Sequence, residues 1–134
     1  MKNFIFSLSL VLLMTSAFHG SAQSLIFCKT ADNGRPVSSA QEFTVGKDGG
    51  KVTFLLQLPP SIHPSVVSFD IYKVQTGKEV FGSTVKQALE PGKNWVSKEV
   101  TFYDAGSYRV YAFDDKDNTI TKGNLTIKVA GNQP

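Results

Sequence analysis

Asp104-Ala105-Gly106-Ser107-Tyr108-Arg109-Val110 carries the strongest fold signal in the chain. From Ser107 to Asp114 the sequence alternates, with Tyr108, Val110 and Ala112 on one side and Arg109, Tyr111 and Phe113 on the other. Successive side chains of a strand point to opposite faces, so this period of two predicts a β-strand with one buried face.

The same grain runs through the rest of the chain. In Lys51–Leu58, Val52, Phe54, Leu56 and Leu58 alternate with Thr53, Leu55 and Gln57, and the first set is expected to face the core. In Val66–Val74, Val67, Phe69 and Ile71 are the inward set, while Ser68, Asp70 and Tyr72 point out. Leu125, Ile127 and Val129 alternate along the last strand. Turn residues interrupt these runs at Asp32-Asn33-Gly34-Arg35-Pro36, Pro59-Pro60, Gln75-Thr76-Gly77-Lys78 and Pro91-Gly92-Lys93-Asn94. Gly46 to Gly50 reads as a hairpin turn between strands Glu42–Val45 and Lys51–Leu58, and Lys86–Glu90 as a short edge strand. No window carries an apolar helical period. The pattern predicts one all-β domain, a two-sheet antiparallel Greek-key sandwich of seven or eight strands.

Asp-x-Gly-x-Tyr leading into an alternating strand, here Asp104, Gly106 and Tyr108, resembles the tyrosine corner of immunoglobulin-like and fibronectin-III-like β-sandwiches. The resemblance implies that the Tyr108 hydroxyl hydrogen-bonds to backbone a few residues upstream. It extends over about Val100 to Val129 and is generic before that. Val110 stands where antibody-type domains place their second disulfide cysteine, and Val66–Val74 holds no Trp. Antibody or receptor function therefore does not carry over.

Met1 to Ala22 reads as a secretory signal peptide. Lys2 forms the positive end, Phe4 to Met14 the apolar run, and Gly20-Ser21-Ala22 the small-residue site, with cleavage before Gln23. The run is too short to span a bilayer, which takes about 20 apolar residues. Leu25-Ile26-Phe27-Cys28 loosely resembles a lipoprotein cleavage box, but Phe27 is not the small residue that box wants. The expected product, residues 23–134, is exported to the periplasm or outside the cell, with no stable membrane insertion.

Without Lys2 that product carries 13 basic and 11 acidic residues, and no long run of either sign, which excludes a nucleic-acid footprint. Cys28 is the one cysteine, so no internal disulfide forms; a small buried side chain is the expected role. His63 is the one histidine beyond the leader and lies in a proline-flanked loop with no nucleophile motif nearby. A small hydrolase using carboxylates with His63 is the enzyme alternative. Asp114 to Thr119 offers oxygens at alternating positions, and a calcium-stabilised module around Asp115 and Asp117 is the structural alternative. The loop lacks the glycine and distal Glu of an EF-hand, so an acidic turn is expected, with no metal and no cofactor. Asn124-Leu125-Thr126 matches a glycosylation acceptor, discounted because it sits at the start of a strand in what reads as a bacterial export product.

Strand alternation also predicts an outer face. Arg109, Tyr111 and Phe113 join Asp70 and Tyr72 from the neighbouring strand, with Thr126 and Lys128 from the last one. Aromatic groups gathered on an outer sheet face suggest a contact surface. The expectation is an exported, non-catalytic binding module whose partner is a protein, a glycan or a second copy of the chain.

Overall fold

In the computed structural model of the protein, residues 24–131 are described. The signal-peptide reading of Met1 to Ala22 and its cleavage site lie outside the described residues.

Nine strands form among them: β1 Ser24–Asp32, β2 Arg35–Ser39, β3 Glu42–Val45, β4 Gly50–Gln57, β5 Val66–Gln75, β6 Lys78–Ala88, β7 Trp95–Phe102, β8 Gly106–Phe113 and β9 Thr119–Val129. They make a four-stranded sheet, β2-β1-β4-β7, packed on a five-stranded sheet, β3-β9-β8-β5-β6. After the β5–β6 excursion the chain returns to pair β7 with β4, and then crosses again to set β8 beside β5. These are Greek-key connections, as the alternating strands and turn spacing predicted. No helix among the described residues is long and apolar enough to cross a membrane.

The inward sets meet in one core. Val52, Phe54 and Leu56 of β4 face Val67, Phe69 and Ile71 of β5, with Val110, Ala112, Leu125 and Ile127 beside them. Phe54 is its hub: its ring lies 5.2 Å from Phe27, 5.6 Å from Phe69 and 6.1 Å from Phe102, the first two edge to face. Edge-to-face pairs align the positive ring edge with the negative ring face, so Phe54 binds the two sheets together by more than area.

Three local expectations are corrected. Gly46 to Gly50 is not a hairpin turn between paired strands, because β3 and β4 belong to different sheets. The turn carries the chain from one sheet to the other, and β3 runs parallel to β9, from Glu42 opposite Thr126 to Val45 opposite Val129. The sandwich is therefore antiparallel except at this pair. Lys86 does not begin a new strand: β6 continues unbroken to Ala88, and the ninth strand is instead β2, made from the supposed breaker at Arg35-Pro36.

The third correction concerns Leu55, which alternation placed on the outside but which is 0% exposed, as is Cys28. β1 pairs with β4 only from Ser24 opposite Gln57 to Cys28 opposite Thr53. Beyond Cys28 the chain doubles back. The Thr53 hydroxyl donates to the Lys29 carbonyl at 3.1 Å, and Gln57 Nε2 donates to the Gly34 carbonyl at 3.2 Å. Thr53 and Gln57 are both outward positions four residues apart, about 13 Å along the strand. The Lys29–Ser39 hairpin thus lies along the outer face of the four-stranded sheet, over Leu55. Its turn is built by Asn33 and Gly34 at φ 51° and 81°, and Trp95 packs on Gly34 at the tip.

The outer face of the five-stranded sheet

β8 enters the sheet through the corner. Tyr108 Oη donates to the Asp104 carbonyl at 2.8 Å, and the ring stands edge-on to Phe102 at 5.0 Å. The acceptor is the backbone of Asp104, not its carboxylate. Burial pushes the Tyr108 hydroxyl pKa up, and the Asp104 charge adds to this. Gly106 sits at φ 154°, where a Cβ would meet Lys73 Cε at 2.8 Å. This corner fixes the parity of β8, and so decides which residues reach solvent.

β5 and β8 pair with Asp70 opposite Tyr111, Tyr72 opposite Arg109 and Ser68 opposite Phe113. All five site residues expected from alternation, Asp70, Tyr72, Arg109, Tyr111 and Phe113, share the outer face. The Tyr72 ring lies 5.5 Å from Tyr111, edge to face, and Tyr111 stacks toward Phe113 at 6.4 Å with 27° between the planes. The Asp70 carboxylate accepts from the Thr84 hydroxyl at 2.6 Å.

Two further members come from β6 and were not anticipated. The β5–β6 register shifts between Ile71 and Tyr72, beside Gly82, whose missing side chain leaves room against the Ile71 carbonyl. The extra residue of this bulge flips the parity of β6. Thr84 and Lys86 face outward on one side of it, Glu79 and Phe81 on the other. Phe81, 55% exposed, adds its ring to Tyr72 at 5.5 Å. Simple alternation across Gly82 hides this; the glycine inside a strand is the signal that could have found it.

Glu79 reaches across β5 to form an ion pair with Arg109. Tyr111 Oη donates to both Glu79 oxygens, at 2.8 and 3.0 Å, and Arg109 Nε donates to Asn124 Oδ1 at 3.0 Å. β6 and β8 are thereby laced over the top of β5, and β8 is tied to its other neighbour, β9. The Tyr111 hydroxyl foremost, with the Arg109 guanidinium, holds the Glu79 pKa below its ordinary value. The hydrogen bond to Glu79 in turn raises the Tyr111 pKa. Asn124, the residue of the glycosylation-like triplet, is engaged in this lacing.

At the loop end, Ser61 to Pro64 and Asp114 to Lys116 line an open hollow that includes His63. Its carboxylates already accept hydrogen bonds from the turn and from Ser65. Asp114 Oδ1 accepts from the backbone N–H of Lys116 and Asn118 at 2.9 and 2.8 Å, and Asp115 Oδ2 accepts from Ser65 N and Oγ at 3.1 and 2.7 Å. These bonds lower both carboxyl pKa values, Asn118 acting most on Asp114 and Ser65 most on Asp115. Asp117 supplies the turn's positive φ, 65°. No group of three or more potential metal ligands occurs among the described residues.

No family model and no curated protein matches the chain. Among solved structures it is similar to a Niemann-Pick type C2 protein from Japanese carpenter ant, at 16% identity and TM-score 0.46, over 79% of this chain and 89% of that one. It is also similar to superoxide reductase (neelaredoxin) from Ignicoccus hospitalis, at 14% identity and TM-score 0.39, over 67% of this chain and 75% of that one. A variant of that reductase matches at 16% identity and TM-score 0.41, over 87% and 85%. At these identities and TM-scores none of those activities transfers to this chain.

Proposed function

We propose that this chain is an exported, non-catalytic binding module of immunoglobulin-like organisation, and that its contact surface is the outer face of the five-stranded sheet. The observation that carries the reading is the aromatic row Phe81, Tyr72, Tyr111 and Phe113, laid across three adjacent strands of one face. A row of this kind offers large, stiff apolar area at low entropy cost, the composition that dominates interface energetics. The Glu79–Arg109–Tyr111 lacing holds the row in place, so little ordering remains to be done on contact. Export is supported by the Met1–Ala22 reading and the family likeness by the Tyr108–Asp104 bond.

The test is photo-crosslinking in the native envelope from position 81 or 72, compared with position 37, an exposed apolar site on β2 in the other sheet. Capture from 81 and 72 but not from 37 is expected. Capture only from 37, or only from the Ile62-His63 loop, overturns the assignment of the face.

A further inference from the structure

The two ends of this face differ in how their polar groups are used. Around Glu79 and Arg109 the hydrogen-bonding capacity is spent within the protein. At the other end Ser68, Asp70, Thr84, Lys86, Phe113 and Asp117 line a hollow of about 380 Å³. Its floor is made by outward positions of β5 and β6, with Asp70 opposite Thr84 and Ser68 opposite Lys86. Phe113 of β8 and Asp117 of the β8–β9 turn stand beside that floor.

Here most of the polar groups are left open. Thr84 donates its hydroxyl proton to Asp70 Oδ1, and Asp70 Oδ2 takes no hydrogen bond among the described residues. Neither Lys86 nor Asp117 nor Asp70 forms an ion pair among those residues. Two carboxylates, one ammonium and two hydroxyls therefore converge on one hollow beside an aromatic ring without neutralising one another. Such a set complements a ligand that offers several donors and acceptors at once together with an apolar face. Carboxylates accept from hydroxyls, an ammonium donates to them, and Thr84, its proton committed, accepts.

From this geometry we infer that the hollow is a subsite for one neutral sugar ring, an inference that rests on the outer sheet face being the contact surface. The hydroxyls of the ring meet Asp70, Asp117 and Lys86, while its C–H face lies on Phe113, with Tyr111 as the next ring along the strand. The volume falls toward the small end of ligand pockets, which suits a single ring with the chain continuing along the aromatic row. The lining carries one more negative than positive charge, and Arg109 is already paired with Glu79. Uronates, sulfated and phosphorylated sugars are therefore disfavoured.

The experiment is binding of the purified protein to an array of neutral hexose and N-acetylhexosamine oligomers, with uronate and sulfated glycans alongside. Binding to a neutral glycan is expected, at least tenfold weaker for Asp70→Asn and for Phe113→Ala, and retained by Phe113→Tyr. Circular dichroism of each variant checks that the fold survives. The inference fails if anionic glycans are preferred, if both substitutions leave binding unchanged, or if no neutral glycan binds. In the last case, crosslinks from position 81 to a protein leave the face reading standing while the sugar subsite falls. With neither, both fall.

Discussion

Trp95 closes over Gly34 so tightly that a Cβ at Gly34 would sit 2.6 Å from the indole. Gly34 also holds φ 81°, a conformation in which side chains are strained. Gly34→Ala is therefore expected to lift the β1–β2 hairpin tip off the sheet at a cost of about 1–2 kcal/mol. Trp95 is the chain's only tryptophan, so all indole emission comes from this ring, which packs on Gly34 and carries Lys93 Nζ 4.7 Å from its centroid. A red shift with a lowered denaturant midpoint is the expected result; an unchanged spectrum would show the tip already loose.

The same hairpin hides Cys28, whose thiol pKa burial pushes up, a backbone bond from Val37 acting the other way. Both burial and a scarce thiolate slow alkylation. Labelling of Cys28 in the folded protein is expected to be slow, and Gly34→Ala should speed it severalfold. Mass spectrometry of timed alkylation reads both.

Tyr108→Phe keeps the ring against Phe102 and removes the bond to the Asp104 carbonyl. The expected loss is about 0.5–1.5 kcal/mol, the usual net worth of one hydrogen bond. Tyr108→Ala, which also empties volume beside Phe102, should cost about 3 kcal/mol. Chemical denaturation of the three proteins orders them directly.

Glu79 gives the face an acid limit. Its folded pKa lies below the ordinary 4.5, so its contribution to stability is fully present above that value and is lost as pH falls through the folded pKa. Glu79→Gln should therefore flatten the stability profile below about pH 4.5, while leaving its slope at neutral pH unchanged. Equal acid slopes in the two proteins would show that the Tyr111 and Arg109 contacts do not persist in solution.

Calcium should do little. Both Asp114 oxygens already accept from Lys116 and Asn118 within the turn, and Asp115 Oδ2 accepts from Ser65 ahead of β5. Only a ligand that favours the native state raises its unfolding temperature. A melting curve unmoved by millimolar calcium is expected, and Ser65→Ala, which removes the hydroxyl donor to Asp115, should lower the unfolding temperature slightly.

Much of the sandwich was readable from alternation because a buried face forces it: Phe54 and Phe69, Val110 and Leu125 fall where the period of two puts them. Two of the three misread features have a clear physical reason. Gly46 to Gly50 has the turn chemistry of a hairpin, and a connection between sheets calls for the same residues, so only long-range pairing of Phe43 with Ile127 decides. Leu55 looked like an outward residue because its cover is contributed by the Lys29–Ser39 hairpin, which doubles back over it. In the site, β5 and β8 were legible, whereas Glu79 and Phe81 were not, since one bulge at Gly82 inverts the parity of β6.

β3 and β9 run side by side in the same direction, tied from Gln41, whose carbonyl accepts from Thr126 N, to Val45, whose carbonyl accepts from Ala130 N. Tension drawn along β9 toward its end, against an opposite pull on the chain ahead of β3, slides the two strands past each other. Each bond in the ladder then bears the load together with its neighbours, instead of opening one after another as in a peeled hairpin. The short parallel pair is thus loaded in shear along that path, and the far edge of its sheet, β6, lies outside it.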